Sequence, residues 1–376
     1  MPASLLTGLL IAQRPARQVA VFRIGVGLAV LIRGLKTARD LYLLQYDPAV
    51  VPAPLYAWAS RPESLAGIAA VAGTFLIAGL TLTLGWHARL SALVACAIST
   101  WLFFVDQNFW GHHVYFMTLM LLLLSVTDSD ASFSVRWLRE GRPEREVTWW
   151  PAWLAQVQLS LAYFFTGVAK LNPVFLSGEV MRRRIMTGAG LEPLAQPLAL
   201  LALAAEFFLA FGLWHRRLRP AAFVVGFGMH VLIPIVLTPY AGLVVFSLLV
   251  FSVYVLFVDV TPGSRLVVWD DTCGFCGRTV AWLRRLDWLA THRFEGASQP
   301  AALTEAGVTA DEAAEEIKLR TGTRTVGGFD AVRGIIEVTP FGFLWAPALA
   351  LPPIAGIGRA LYRRVASQRY CLLPRR

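Results

Sequence analysis

Over the first 258 residues the apolar positions come in long, nearly unbroken blocks, not in the three-and-four spacing of a surface helix or the alternation of a half-buried strand. Eight blocks are long enough, or nearly so, to cross a bilayer: 19–35, 64–85, 88–105, 112–126, 151–169, 195–213, 220–237 and 240–258. The fourth is short, so it must tilt or begin inside the protein. Pro48, Pro52, Pro54 and Pro62 mark the first long loop, and 127–150 is polar and basic. After Thr261-Pro262-Gly263 the pattern changes. SRLVVWDD reads as a buried strand entering a turn, GRTVAWLRRLDWL as an amphipathic helix, and ADEAAEEIKLRT as a polar helix followed by the loop GTRTVGGFD. The stretch from Pro353 to Arg376 reads as a basic helix and tail. The pattern predicts a multi-span α-helical membrane bundle of about eight transmembrane helices over 1–260, then a small α/β domain over 263–376.

Composition supports that division. Hydrophobic residues make up 56% of the chain and charged residues 15%, which excludes one water-soluble core. Disorder is excluded too, since 13 Trp and 23 Phe would have nowhere dry to go. The net charge of +10 invites a nucleic-acid reading. The basic residues fall between apolar blocks, however, so they read as cytoplasmic loops held against anionic lipid, with no nucleic-acid partner expected. One set of loops carries Arg14, Arg17, Arg89, Arg136, Arg139, Arg142, Arg145, Arg216, Arg217 and Arg219. The opposite set has Arg39, Arg61 and one exception, the run Arg182-Arg183-Arg184. The majority predicts an integral protein of a bacterial inner membrane with both termini cytoplasmic. The first residues have no basic lead or clear cleavage site, so no signal peptide is expected.

Ionisable groups inside apolar blocks are costly and need either a polar partner or a task. Lys170 closes the fifth block, and Gln156, Tyr163 and Lys170 recur every seven residues with Gly167 one turn before the lysine. A lysine snorkelling to the headgroups is the competing reading. His112 and His113 open the fourth block, and adjacent residues point to different helix faces, which makes a poor two-ligand metal site. Glu206 and His230 lie within the sixth and seventh blocks. Each alone could simply bond to a neighbouring helix. With a cytoplasmic N-terminus, the fourth block begins and the fifth ends on the outer side, so His113 and Lys170 are expected at similar depth.

Three segments of this half resemble the vitamin K-dependent γ-carboxylase and its bacterial relatives, the horizontally transferred transmembrane (HTTM) domain family. DQNFWGHHVYFMTL shares Asp106, Trp110, His113 and Tyr115. QLSLAYFFTGVAKLNPVFLSGE is similar to the family's tyrosine-rich helix, which ends in its essential lysine. AAEFFLAFGLWHRRLRPAAFVVGFGMH contributes Glu206, Arg217, Arg219 and His230. The resemblance runs over about 15–258. It implies that Lys170 is a general base deprotonating a hydroquinone whose anion then reacts with dioxygen, and that His113 assists. It places Asp106, Trp110, Tyr115, Tyr163, Glu206 and His230 as supporting residues. A desolvated lysine suits the task, and the site must exclude water. The chain departs from the family at His112 and Ala169, where an asparagine and the first of two lysines are usual. It also passes directly from the eighth block to the small domain, with no large lumenal region for propeptide binding. This argues against glutamate carboxylation and leaves quinol-linked or other proton-abstraction chemistry open.

Cys273-Gly274-Phe275-Cys276 falls between the predicted strand and helix. A helix N-terminus stabilises a thiolate through its amides and dipole, so a redox dithiol is expected at the first Cys. Zinc is the competing reading, but Cys96, Cys371 and His292 lack ligand spacing, and no metal is expected. Asp270, Cys273 and Cys276 resemble the signature of the DCC family of thiol–disulfide oxidoreductase-like domains, over about 263–372, with Asp271 where Gly is usual. That implies a thioredoxin-like domain in which Asp270 takes a proton from a buried second Cys. No proline stands as an obvious cis candidate opposite the motif.

Three functions remain open. The first is a membrane oxidoreductase or carboxylase-like enzyme coupled to the CxxC domain, with a small hydrophobic or peptide substrate and a cytoplasmic thiol reductant. In the second, the helical half only anchors a thiol–disulfide oxidoreductase. The third is a non-enzymatic lipid or peptide receptor in which Arg182, Arg183 and Arg184 hold an anionic group.

Overall fold

Backbone amides and carbonyls in an apolar block can be satisfied only within their own segment when the surroundings hold no water, so each block is driven to helix. All eight become helices: α1 (Ala16–Tyr46), α2 (Leu65–Leu84), α3 (Ala88–Val105), α4 (His112–Ser125), α5 (Trp150–Lys170), α6 (Ala195–Gly212), α7 (Arg219–Val236) and α8 (Ala241–Tyr254). The computed structural model describes residues 8, 10–56, 58–184, 192–236, 241–339 and 341–372. It contains two compact units, Met1–Phe211 with Gly228–Phe257, and Gly212–Phe227 with Val258–Arg376.

The expectation of eight spans is not confirmed. Among the described residues four helices are long and apolar enough to cross a membrane: α1, α2, α3, and α6 together with the turn before it, Glu192–Gly212. The 14 residues of α4 or α8 reach only about 21 Å at 1.5 Å per residue, short of a hydrocarbon core of roughly 30 Å. Pro234 sits inside α7, and α5 is long enough but carries Gln156, Gln158 and Lys170.

Two small residues let α1 and α2 approach closely. A methyl group on Gly27 would stand 2.3 Å from Thr83 Oγ1, and one on Gly79 would stand 2.9 Å from a methyl of Val30. The first helix also carries a fully buried arginine. Arg23 Nη1 donates to the carbonyls of Ser129 (2.6 Å) and Ser132 (3.3 Å), and Nη2 to those of Phe133 (2.6 Å) and Thr83 (3.4 Å). Gly85 ends α2 in the left-handed region (φ +66°), and a Cβ there would stand 2.4 Å from Ser134 Cβ and 2.6 Å from Arg23 Nη1. Two short strands, β1 (Gln13–Pro15) and β2 (Glu146–Thr148), pair antiparallel ahead of α1 and α5.

The second unit is built on a four-stranded mixed sheet. Its strands are β3 (Arg265–Trp269), β4 (His292–Gly296), β5 (Lys318–Thr321) and β6 (Arg324–Gly327), in the order β4-β3-β5-β6. Strand β3 runs parallel to β4 and antiparallel to β5, and β5 runs antiparallel to β6. The parallel pair is joined by α9 (Gly274–Leu286), a β-α-β crossover. Helices α10 (Pro300–Ala306), α11 (Ala310–Glu315), α12 (Gly328–Ile336) and α13 (Pro352–Leu372) follow in turn. The unbroken apolar run of β3 is explained by burial on both sides. Val267 packs with Val280, Leu283, Phe294, Leu319, Ala331 and Ile335, while Leu266 and Val268 pack with Ala302, Ala306 and Ala313.

Asp287 ties the end of α9 to β4. Its carboxylate accepts from the Thr291 amide (3.1 Å), the His292 amide (3.0 Å) and the Thr291 hydroxyl (3.0 Å), and its Oδ1 lies 3.1 Å from His292 Nδ1. Burial pushes its carboxyl up, but the bonds from His292 and Thr291 outweigh that and hold it below the usual range.

Two outcomes follow from these anchors. Arg23→Ala leaves buried carbonyls without donors and should cost about 3 kcal/mol, read as a lower unfolding midpoint in detergent. Because the Asp287 carboxyl is depressed on folding, its stabilisation is complete above the unfolded value of about 4 and fades as pH falls through the folded one. Unfolding followed from pH 7 to pH 3 should therefore show an acid-side loss that is smaller in Asp287→Asn.

Candidate functional site

In the second unit, β3 ends at Trp269 and the chain turns through Asp270 and Asp271 into α9, whose N-cap is Cys273. The Asp270 carboxylate makes that turn, with Oδ1 accepting from the Thr272 amide (3.0 Å) and hydroxyl (2.7 Å). Cys273 Sγ accepts from the Cys276 amide at 3.2 Å, so the sulfur of the first cysteine takes a free amide of the helix start. Ligand atoms of Asp270, Cys273 and Cys276 all lie within 4.8 Å of one another, and the two cysteines are not joined in a disulfide. The exposures reverse the expectation of a buried second Cys. Cys273 is only 1% exposed, whereas Cys276 is half-buried and lines a cavity of about 150 Å³. The reason is geometric: capping turns the Cys273 sulfur inward over the helix start, while Cys276 lies on the flank of α9 that faces the cavity. Asp271 is occupied elsewhere, accepting from the Ser298 amide (3.2 Å) and hydroxyl.

In the helical unit, Lys170 at the end of α5 meets Glu206 of α6, with Nζ to Oε1 at 2.5 Å. The amine also donates to the Thr166 carbonyl (3.5 Å) and stands 5.6 Å from the centre of the Phe175 ring. The pair is well shielded, at 24% and 11% side-chain exposure, and the buried Glu206 Oε2 has, among the described residues, only Thr166 close by. One face of the same helix supplies Tyr163, whose hydroxyl lies 2.9 Å from His230 Nε2 and 2.7 Å from the Tyr254 hydroxyl. Gln156, two turns earlier, donates to the Leu256 carbonyl (2.9 Å). The stripe at every seventh residue is thus a row of polar contacts to α6, α7 and the end of α8. Nothing in the sequence singles out Tyr254, whose hydroxyl has no periodic companion on a polar stripe in SLLVFSVYVLF.

The remaining expected residues fall elsewhere. His113 is not among the partners of Lys170, and the basic residues near it are Arg33, Lys36 and His112. Asp106 is fully buried and builds a loop, accepting from the amides of Ala53 (2.9 Å) and Asn108 (2.8 Å). Trp110 donates to the Phe103 carbonyl (3.2 Å) and stacks on Phe103 and Tyr115, both Trp110 and Tyr115 being exposed. Arg182 and Arg183 each pair with Glu179 at 2.7 Å on an exposed short helix; the Arg184 side chain lies outside the described residues.

The HTTM domain family matches residues 12–260. The chain belongs to the HTTM family. Behind the HTTM domain, the DCC1-like thiol-disulfide oxidoreductase family matches residues 267–375, which include Asp270, Cys273 and Cys276. No curated protein and no solved structure matches the chain. Four long apolar helices and an HTTM domain make this a membrane protein, and the second domain makes it a membrane redox protein in general terms.

The Lys170–Glu206 pair of the HTTM domain has an energetic signature that can be measured. Lys170→Met strands a shielded carboxylate and should destabilise by about 3 kcal/mol, whereas Lys170→Met with Glu206→Gln should recover most of it. A double-mutant cycle on thermal unfolding in detergent reads both.

Proposed function

We propose that this protein is a membrane-embedded thiol–disulfide oxidoreductase in which Cys273 and Cys276 are the redox dithiol and Asp270 is the adjacent proton acceptor. The observation that carries the reading is the convergence of two reduced cysteines and a buried carboxylate within 4.8 Å at the start of a helix. The β-α-β and β-β-α connectivity of the sheet supports a thioredoxin-like domain. In the reductive direction one thiolate attacks a substrate disulfide, forming a mixed disulfide and expelling one substrate thiolate. The second thiolate then attacks that mixed disulfide, closing Cys273–Cys276 and releasing the other substrate thiolate. Two electrons pass to the substrate, and a cytoplasmic thiol reductant restores the dithiol. The basic loops, Arg14 and Arg17 ahead of α1 among them, favour a bacterial inner membrane with both termini cytoplasmic.

A second reading attaches to the helical unit, where Lys170 would act as a base toward a quinol. It is favoured by the buried Glu206 carboxylate, whose Oε2 has, among the described residues, only the nearby Thr166 beside it and can accept from the hydroxyl of a hydroquinone. Such a group, when bound, supplies electrons and protons and has dioxygen as its oxidant. Lys170 would take up the proton, Glu206 would hold the ammonium in place, and the apolar surroundings would exclude water.

The decisive measurement is a thiol titration with intact-mass analysis of the full chain in detergent. Oxidation should close Cys273–Cys276 with loss of two hydrogens, and a dithiol reductant should reopen it. Cys273→Ser or Cys276→Ser should lower disulfide turnover by about two orders of magnitude or more, because the intramolecular step is lost. Two thiolates held by a metal ion and released only by a chelator would sink the redox reading.

A further inference from the structure

The two cysteines differ in what they can reach. Cys273 is 1% exposed and its sulfur is taken up by the helix start, while Cys276 opens on the cavity of about 150 Å³. The walls of that cavity are almost wholly apolar: Trp269 from the end of β3, Phe275 and Trp282 from α9, Ile336 from α12, and Tyr362 and Ala366 from α13. They are also fixed in place. The Tyr362 hydroxyl accepts from the Ile317 amide (3.2 Å), and Arg359 is bonded to Asp330 at 3.0 and 3.3 Å, which holds α13 against α12. Among the described residues the buried Trp269 Nε1 in that wall, a donor, has no acceptor. An apolar cavity of about 150 Å³ is large enough for a benzene ring.

Resting on the oxidoreductase reading above, we propose that Cys276, the second cysteine of the motif, is the sulfur that attacks substrate. The cavity beside it is the subsite for an aromatic or branched apolar group carried next to the substrate disulfide. The Cys276 thiolate attacks the nearer sulfur of R–S–S–R′, the R′ thiolate leaves, and the apolar R group stays in the cavity. Cys273 then passes its proton to Asp270, attacks the Cys276 sulfur, closes the internal disulfide and expels the R thiolate. The dithiol gives up two electrons and the substrate disulfide gains them. This order reverses the one the motif suggests by itself, in which the N-cap cysteine attacks first.

The test uses the full chain in detergent with Cys96 and Cys371 replaced by serine, reduced, and mixed with dithiodipyridine, a neutral aromatic disulfide. Cys273→Ser should trap a mixed disulfide at Cys276 at close to the rate of the intact dithiol, and Cys276→Ser should react at least about tenfold more slowly. The reverse pattern overturns the proposal while leaving the oxidoreductase reading intact. A dithiol that reacts but never closes Cys273–Cys276 overturns that reading as well. A second arm fills the cavity. Ala366→Phe, with Ala366→Leu as a milder variant, should slow dithiodipyridine about tenfold relative to bis(hydroxyethyl) disulfide. Equal slowing of both probes, or of neither, removes the cavity as a subsite.

Discussion

A charge withdrawn from water has to be given back its hydrogen bonds by the protein, and in the helical unit that requirement decides which segments meet. Arg23 gathers carbonyls from the end of α2 and from the turn at 129–133. Arg33 is held by Asp40 within α1, and Lys170 by Glu206 across α5 and α6. Apolar packing contributes most of the area but little direction, since one apolar helix face fits lipid about as well as another. The directional contacts select one arrangement. The small residues Gly27 and Gly79 then permit it by letting backbones come close enough for the buried groups to reach.

The same logic governs the sheet unit, with a helix start in place of a membrane. Strand β3 is sandwiched between two apolar layers, so its end is a rigid platform from which the turn at Asp270 launches α9. That turn leaves one sulfur facing the amides and the other facing a hollow. Two side chains three positions apart on one helix are thereby made chemically unlike without any difference in residue type.

Much of this was legible in the chain. The eight apolar blocks all became helices, because their length and composition leave the backbone no alternative, and the CxxC did fall between a strand and a helix. The seven-residue recurrence of Gln156, Tyr163 and Lys170 did mark a polar stripe. What the sequence could not carry was pairing. Glu206 and Lys170 are 36 positions apart, and Tyr163 and Tyr254 are 91 apart, so nothing local announces that they touch. His113 and Lys170 share an expected depth, yet the amine chose a carboxylate on a third helix, because opposite charges gain more from meeting than a lysine gains from an imidazole. Span number is not confirmed for a related reason: apolarity says a segment is dry, but the short α4 and α8 can be dry inside protein as well as inside lipid. The order of burial at Cys273 and Cys276 depends on cap geometry, which residue identity does not encode.

The fan of carbonyls around Arg23 also bears on biogenesis. Three of its acceptors lie 106, 109 and 110 positions later in the chain, so they do not yet exist when the first helix leaves the ribosome and enters the bilayer. Until the stretch at 129–133 has been synthesised, the nascent guanidinium must stay hydrated or lean on lipid phosphates. The first helix thus cannot settle at its final depth during its own insertion. It has to wait for the fourth, and assembly of this bundle is closed from behind rather than built up in the order of translation.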